Sequence, residues 1–204
     1  MGEHLVSRIA IAICLVSLIM GCTLHVVPSK IPPLDTKTEG LAGPYNNITV
    51  TLVNAQADNS DFSVKYLTDG STVPDSYGKD MNGKDAGIVL SRKLWTEKLA
   101  EALGAELVTR QAKVVDGAPV IISLKVTEIL RTLVKTGPVT QFRATAIVTL
   151  NSGWTKTYVG NGDAGGFGAP FGDNTFTRGA NYTIQDLVRV IMSDPEFITE
   201  ISKH

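Results

Sequence analysis

Alternation of apolar and polar residues between positions 119 and 159 constrains the fold more than any other feature of the sequence. The even-numbered residues from 120 to 126 are valine, isoleucine or leucine, and those from 142 to 150 are phenylalanine, alanine, valine or leucine. Because successive side chains of a strand point to opposite faces, each stretch predicts a strand with one buried face. The short turns between the stretches predict an antiparallel meander.

The sequence also indicates where these strands bend and turn. The alternation changes parity near Glu128 and Ile129, which predicts a bulge or bend in the first strand. A Gly-Pro pair at 137–138 separates the first strand from the second. The Asn-Ser-Gly turn at 151–153 leads into a third strand, predicted at 154–159.

Three shorter strands are predicted before the meander. Residues 47–53 alternate isoleucine, valine and leucine with polar residues, so they predict a strand with one buried face. The short apolar stretch at 62–67 follows a polar turn and can pair with this strand. A further short strand is predicted at 106–109.

A helix is predicted between these strands, at residues 85–103. Trp95 lies on a stripe of apolar residues with helical spacing. Asp85 is expected to cap the first turn, because its carboxylate can accept from free backbone amides. Gly104 is expected to end this helix, because glycine is common just after the last helical residue.

The C-terminal part of the chain predicts a loop and two helices. Residues 160–172 are rich in glycine and predict a flexible loop. Thr183 and Asp186 have the spacing of a capping box, and Asp194-Pro195 has the pattern of a cap followed by a first-turn proline. The element order predicts an α+β fold, in which two main helices pack on one face of a mostly antiparallel sheet.

The N-terminus has the pattern of an export signal. Arg8 precedes an apolar run at 9–19. This run is shorter than the about 20 residues that a membrane-spanning helix needs and suits a secretory signal peptide. It ends in Ile-Met-Gly-Cys at 19–22, which resembles the lipobox of bacterial lipoproteins. We predict a signal peptide at 1–21 and a lipidated Cys22. The alternative is an ordinary signal peptide with this cysteine near the cut by chance.

The predicted mature chain divides into a tether and one domain. Residues 22–45 contain several prolines and polar residues, so they predict a semi-rigid tether that follows the lipidated cysteine. The alternative is that part of this segment packs as an ordered arm. Residues 46–204 are long enough for a single domain with its own core, which is expected to lie in the periplasm.

Charge and residue usage argue against several classes of function. The formal net charge is −1, so there is no basic field for nucleic acid. His4, His25 and His204 are not placed to share a metal ion, and Cys22 is the only cysteine expected after removal of the signal peptide. No serine–histidine or cysteine–histidine pair is expected in the domain. We therefore predict no catalytic residues, no metal, no cofactor and no enzymatic activity.

A glycine pattern at 160–165 matches G-x-G-x-x-G and follows a predicted strand. A dinucleotide site needs a helix that opens at the third glycine, so that its amides meet the pyrophosphate. Further glycines and Pro170 follow here instead. The pattern is therefore interpreted as a loop.

The order of these features resembles a known family. The lipobox-like segment, a short alternating strand, the helix with Leu-Trp-Thr-Glu-Lys at 94–98, two long strands and Ser-Asp-Pro-Glu-Phe-Ile at 193–198 follow one another. This order resembles the YajG-type family of small bacterial lipoproteins. The resemblance implies a periplasm-facing lipoprotein of the cell outer membrane without an established activity, in which only Cys22 is a functional residue. An Asp after the cysteine favours inner-membrane retention in Gram-negative lipoproteins, and Thr23 lacks this sorting signal.

Three functions are compatible with these features. The leading hypothesis is a membrane-anchored, non-catalytic binding or assembly module with an envelope protein as partner. The alternative is an auxiliary lipoprotein of a lipid or lipopolysaccharide transport system, which would bind an apolar ligand between helices and sheet. An envelope hydrolase has the least support. An exposed apolar patch would favour a protein interface, whereas a closed groove would favour a ligand.

Overall fold

The computed structural model describes residues 24–25, 27–34, 45–56, 61–63, 65–68, 71–73, 88–133, 139–165 and 173–203. The strands and helices lie within these ranges. In chain order they are β1 Leu24–His25, β2 Thr49–Asn54, β3 Asp61–Ser63, β4 Lys65–Thr68, β5 Ser71–Val73, β6 Ile88–Ser91, α1 Arg92–Thr109, β7 Lys113–Val114, β8 Val120–Leu133, β9 Val139–Leu150, β10 Thr155–Gly165, α2 Asp173–Met192 and α3 Pro195–Ile201.

The main sheet has the strand order β10-β9-β8-β2-β7; β4 also pairs with β8, and β5 pairs with β4. Strands β8, β9 and β10 are antiparallel neighbours, which confirms the predicted meander. Strand β2 pairs in parallel with both β8 and β7, because α1 carries the chain back to the starting edge before the next strand begins. The predicted α+β class is confirmed, with a sheet that is mixed.

Both long helices pack on one face of this sheet, which we call the inner face. Trp95, Leu99 and Leu103 of α1 are fully buried, as are Ile184 and Leu187 of α2. They meet the even-numbered residues of β8 and β9. The Trp95 and Phe142 rings lie 6.0 Å apart between their centroids. The predicted core role of Trp95 is confirmed, and the opposite side of the sheet is called the outer face.

The predicted irregularities of the meander are also present. The pairing of β8 with β9 shifts register between Val126 and Glu128, where the sequence changes parity. The turn at residues 151–153 ends in Gly153, whose φ of 91° suits glycine. Asp194 caps α3 by accepting a hydrogen bond from the Glu196 amide at 3.1 Å, and Pro195 is its first residue. These predictions are confirmed.

The predicted bounds of the first helix are wrong. Residues 88–91 form strand β6, and α1 begins after Ser91, whose hydroxyl accepts from the Leu94 amide at 3.3 Å. Asp85, the predicted cap, lies outside the described residues. The helix runs on through Gly104 to Thr109, so no strand forms at 106–109. A Cβ on Gly104 would lie 2.9 Å from Leu52 Cδ1, so this glycine brings the helix close to β2.

The predicted glycine-rich loop is partly a strand. Residues 160–165 continue β10, whereas residues 166–172 lie outside the described part. A Cβ on Gly160 would lie 2.6 Å from Leu187 Cγ, and one on Gly162 would clash with the Thr183 amide nitrogen and the Gly179 carbonyl oxygen. These glycines therefore bring α2 onto β10.

Two further predictions about local structure are wrong. Thr183 is buried inside α2, where its hydroxyl donates to the Gly179 carbonyl at 2.8 Å, so it caps nothing. The stretch at 62–67 does not pair with β2. It divides into β3, which pairs with β6, and β4, which pairs with β8.

Candidate functional site

The outer face of the sheet is not covered by any helix among the described residues. At its β2–β7 edge lie three exposed apolar side chains, which we call the outer patch: Val53 (39% exposed), Val115 (50%) and Ile121 (36%). Thr51 lies among them, because it pairs with Ile121 across the strands and its hydroxyl donates to the Val115 carbonyl at 2.8 Å. The same hydroxyl accepts from the Ala118 amide at 2.8 Å, which fixes the turn that carries Val115.

The outer face continues from the patch as a surface of β-branched residues. Ile147 lies in its middle, between Lys125 on β8 and Thr157 on β10. Thr155 and Thr149 face each other one step along, with their hydroxyl oxygens 3.1 Å apart. The short branched side chains of this surface have few rotamers to lose when a partner binds. Such a surface can contact a protein at little cost in side-chain entropy.

A second feature lies on the opposite side of the molecule, where residues 27–34 run along the groove between α1 and α2. We call these residues the arm. The Ser29 amide donates to Asn181 Oδ1 at 2.8 Å, and Gln185 Nε2 donates to the Pro33 carbonyl at 3.0 Å. Leu34 is buried, and Ile31 packs against the core. Of the segment predicted as a tether, this part is ordered against the domain.

The arm covers a small apolar cavity of about 130 Å³. Its walls come from Ile31 and Pro33 on the arm, Ala102 and Ala105 on α1, and Val188 on α2. A cavity of about 150 Å³ accommodates a molecule of the size of benzene. The space is therefore too small for a whole acyl chain.

A buried ion pair closes the far end of the groove. Arg110 Nε lies 2.7 Å from Glu106 Oε1, and both side chains are almost fully buried. The Tyr45 amide donates to the Arg110 carbonyl at 2.7 Å, so the chain rejoins the domain here. Burial raises the pKa of the Tyr45 phenol, and the nearby Arg110 offsets only part of that rise. The Glu106–Arg110 ion pair and the neutral Tyr45 phenol are therefore buried together at this end of the groove.

A second polar cluster joins β10 to α3. The Tyr158 hydroxyl donates to Asp194 Oδ2, and Lys156 Nζ lies 2.9 Å from the same carboxylate and 2.8 Å from Glu196. Burial acts to raise the pKa of Asp194, but hydrogen bonds from Tyr158, Lys156 and the Glu196 amide outweigh it and hold that pKa below its usual value. Burial and the neighbouring carboxylate raise the pKa of Tyr158 well above its usual value.

This cluster is built to hold protons rather than to transfer them. A general acid or base works best with a pKa near the operating pH. Here the phenol keeps its proton and the carboxylate stays ionised, because each pKa moves away from neutrality. The cluster therefore locks α3 to the end of the sheet.

The residues predicted to carry function, Cys22 and Thr23, lie outside the described residues. The described chain begins beside them, since β1 starts at Leu24 and pairs in parallel with β6. Within the described ranges, no three His, Cys, Asp or Glu side chains are grouped as metal ligands. None of the helices in those ranges combines the length and apolarity of a transmembrane helix.

Sequence reasoning missed the outer patch, and it gave the docking of the arm only as the alternative to a tether. Ile121 and Val53 fall at positions where alternation predicts polar residues. They therefore indicate that this face does more than contact solvent. Ile31 and Leu34 are apolar residues in a proline-rich segment, and they could have indicated docking. The partners of these residues depend on tertiary contacts that no local pattern contains.

Comparisons with known proteins bear on the fold and not on the function. No protein-family model matches the chain, and no curated protein does. A crystal structure of a Xanthomonas campestris protein of the DUF330 family is similar over 88% of this chain and 97% of its own, with a TM-score of 0.51 and 8% identity. A Caulobacter crescentus CB15 protein described as a candidate lipoprotein matches 51% of this chain and 77% of its own, with a TM-score of 0.37 and 14% identity. At such identity the first likeness concerns the fold alone.

Proposed function

We propose that this chain is a lipoprotein of the bacterial outer membrane, anchored through Cys22, whose periplasmic domain is a non-catalytic binding or assembly module. The observation that carries the proposal is the outer face, a sheet surface that no helix of the described residues covers, with the outer patch at one edge. The apolar run and Gly21-Cys22 at the N-terminus supply the anchor. The resemblance to YajG-type lipoproteins is in keeping with this assignment.

The outer patch supports a protein as the partner. Exposed apolar residues that adjoin one another on a surface mark interaction sites more often than scattered ones do. Here Thr51 holds the patch in one shape through two hydrogen bonds, so little order is lost when a partner binds. Lys125, Arg143 and Glu128 lie on the same face, which suits a partner with charged residues of both signs around an apolar centre.

The anchor is tested by the substitution Cys22→Ser. Without the thiol no lipid can be attached, and the peptidase that requires a lipidated cysteine does not cleave. We expect an uncleaved precursor that is absent from the outer-membrane fraction, measured by membrane fractionation and by mass spectrometry of the N-terminus. Thr23→Ser is the matched control and should process normally. Normal maturation and outer-membrane retention of the Cys22→Ser protein would contradict the anchor.

The partner is tested by placing a photo-crosslinking amino acid at Ile121 or at Val108 in living cells. Both residues are exposed and apolar, but Val108 lies on α1, away from the outer face. We expect a discrete adduct with one envelope protein from position 121 and none from position 108. Val53→Lys should abolish that adduct, because it places a charge in the outer patch. An equal adduct from both positions, or none from 121, would sink the proposed interface.

The lipid-transport alternative is favoured by one observation, the apolar cavity beneath the arm. The space between helices and sheet, where a ligand was expected, is filled by Trp95, Leu99 and Phe142. An apolar ligand would therefore have to displace the arm. Lipid that co-purifies with the delipidated domain in native mass spectrometry would support this second function.

A further inference from the structure

Strand β10 forms one edge of the main sheet, and part of this edge has free backbone groups. The Leu150 amide donates to the Trp154 carbonyl at 2.9 Å, so the even-numbered residues of β10 turn their backbone groups towards β9. The odd-numbered residues therefore turn theirs away from the sheet. Within the described ranges, the amides of Thr157 and Val159 have no hydrogen-bond partner.

A side chain of α2 marks where this open part of the edge ends. The Asn161 amide donates to Asp186 Oδ2 at 2.8 Å, so α2 already satisfies this outward-facing group. Arg189 Nη2 lies 2.6 Å from Oδ1 of the same carboxylate and holds it in place. The open part therefore covers residues 155–159, roughly 17 Å at about 3.4 Å per residue. That length suits one added strand.

Residues 155–159 carry few of the features that protect sheet edges in natural proteins, which are charges, prolines and bulges. The pairing of β10 with β9 runs over 11 residues without a register shift, and β10 contains no proline. Lys156 is the only charged residue of the open part, and its Nζ is held by Asp194 and Glu196. An extended segment can therefore pair with this edge through backbone hydrogen bonds.

An acidic groove adjoins the edge where β10 begins. It has a volume of about 550 Å³ and is lined by Trp154 and by residues of α3, which are Pro195, Glu196, Thr199 and Glu200. Three carboxylates lie at or beside it, those of Asp194, Glu196 and Glu200. Two cations offset them, since Lys156 pairs with the first two and Lys203 with the third. The remaining negative charge and the indole ring suit a lysine or arginine side chain.

We propose that residues 155–159 of β10 bind an extended peptide of a partner protein, and that a lysine or arginine of this peptide lies against Trp154 in the acidic groove. The backbone of the edge supplies affinity in this mode, and the groove supplies specificity. Side chains on the inner side of the added strand lie beside Trp154, whose ring is on that side with Phe197. The inference rests on the proposed binding function but not on the outer patch, which lies towards the opposite edge of the sheet.

Strand addition is tested with the full mature protein in detergent and a short fluorescein-labelled peptide, in which threonine and valine alternate around a central lysine. We expect saturable binding by fluorescence anisotropy, and about tenfold weaker binding when the central lysine is replaced by glutamate. Methylation of every second amide nitrogen of the peptide gives two versions. One should lose binding and the other should keep it, because only alternate amides of a strand face its neighbour. Equal binding by the two methylated versions would overturn strand addition.

Variants of the protein test the edge and the groove separately. Thr157→Pro removes an amide hydrogen that the fold does not use, so the variant should stay folded by circular dichroism and should bind the peptide about tenfold more weakly. Glu196→Gln should reduce the preference for lysine over glutamate, whereas Glu128→Gln, the matched change on the outer face, should not. Undiminished binding by folded Thr157→Pro protein would overturn the edge site, and an unchanged preference in Glu196→Gln would remove the groove from it.

A second copy of this chain is the competing occupant of the edge. It would give a dimer in analytical ultracentrifugation that Thr157→Pro dissociates, together with no binding of the peptide, and this result would overturn a partner peptide. The adduct expected from position 121 tests the outer patch independently. Thr157→Pro should leave that adduct unchanged, so the failure of one surface can be told apart from the failure of the other.

Discussion

The two faces of the β8–β9–β10 meander come from one alternating pattern, yet they differ in how closely other elements pack against them. On the inner face, Phe142 is fully buried and Gly162 has the backbone of α2 directly above it. On the outer face, Ile147 is half-buried and Ile121 is exposed. The comparison teaches that the inner face is committed to folding. The outer face retains residues whose chemistry the fold alone does not require.

The largest expected effect concerns the inner face and is produced by Phe142→Ala. The substitution leaves a cavity against Trp95, so it should lower the free energy of unfolding by about 3–5 kcal/mol. Ile147→Ala, the matched change on the outer face, should cost about 1 kcal/mol or less. Urea denaturation of the two variants measures both. Similar losses from the two substitutions would break the distinction between the faces.

A smaller effect is expected from Asp194→Asn, which alters the link from inner-face Tyr158 to α3. Asparagine can still cap the helix but loses the ionic hydrogen bonds, so we expect a loss of about 1–2 kcal/mol at neutral pH. The folded pKa of Asp194 lies below its usual 3.8. Its contribution to stability is therefore present above that value and is lost as the pH falls through the folded pKa.

The pH dependence provides the sharper measurement. The unfolding free energy of the natural protein should drop in this acid range by an amount that Asp194→Asn lacks. Glu128→Gln removes a carboxylate from the outer face instead, and it should leave the curve nearly unchanged. If Glu128→Gln reduced the loss of unfolding free energy at acid pH and Asp194→Asn did not, the attachment of α3 would not depend on Asp194.

The parts of the fold that could be predicted are those set by local pattern. Alternation is a property of the strand itself, so β8, β9 and the bulge near Glu128 followed from the sequence. Gly104 and Gly162 misled the prediction, because glycine is usually a stop or a loop residue. Here each glycine provides space for a neighbouring element, Leu52 for one and α2 for the other. That space is defined only once the elements are packed.

The candidate site divides in the same way. The prediction for Cys22 depends on its immediate neighbours, so it needs no fold. The outer patch joins Thr51 to Val115 across 64 positions of sequence, and no local pattern could pair them. Ile121 breaks the alternation of its strand, but only the structure shows that it stays exposed on the outer face.

The docking of the arm has a consequence for the order of events as the protein is made. Ser29 and its partner Asn181 are 152 positions apart, and a chain emerges from the ribosome with its N-terminus first. The groove for the arm does not exist until α2 has been synthesised and has packed. During that interval the arm has no groove to dock in, so the proposed lipidation of Cys22 would have free access to the cysteine. Docking of the arm therefore follows the packing of α2 and ends this interval.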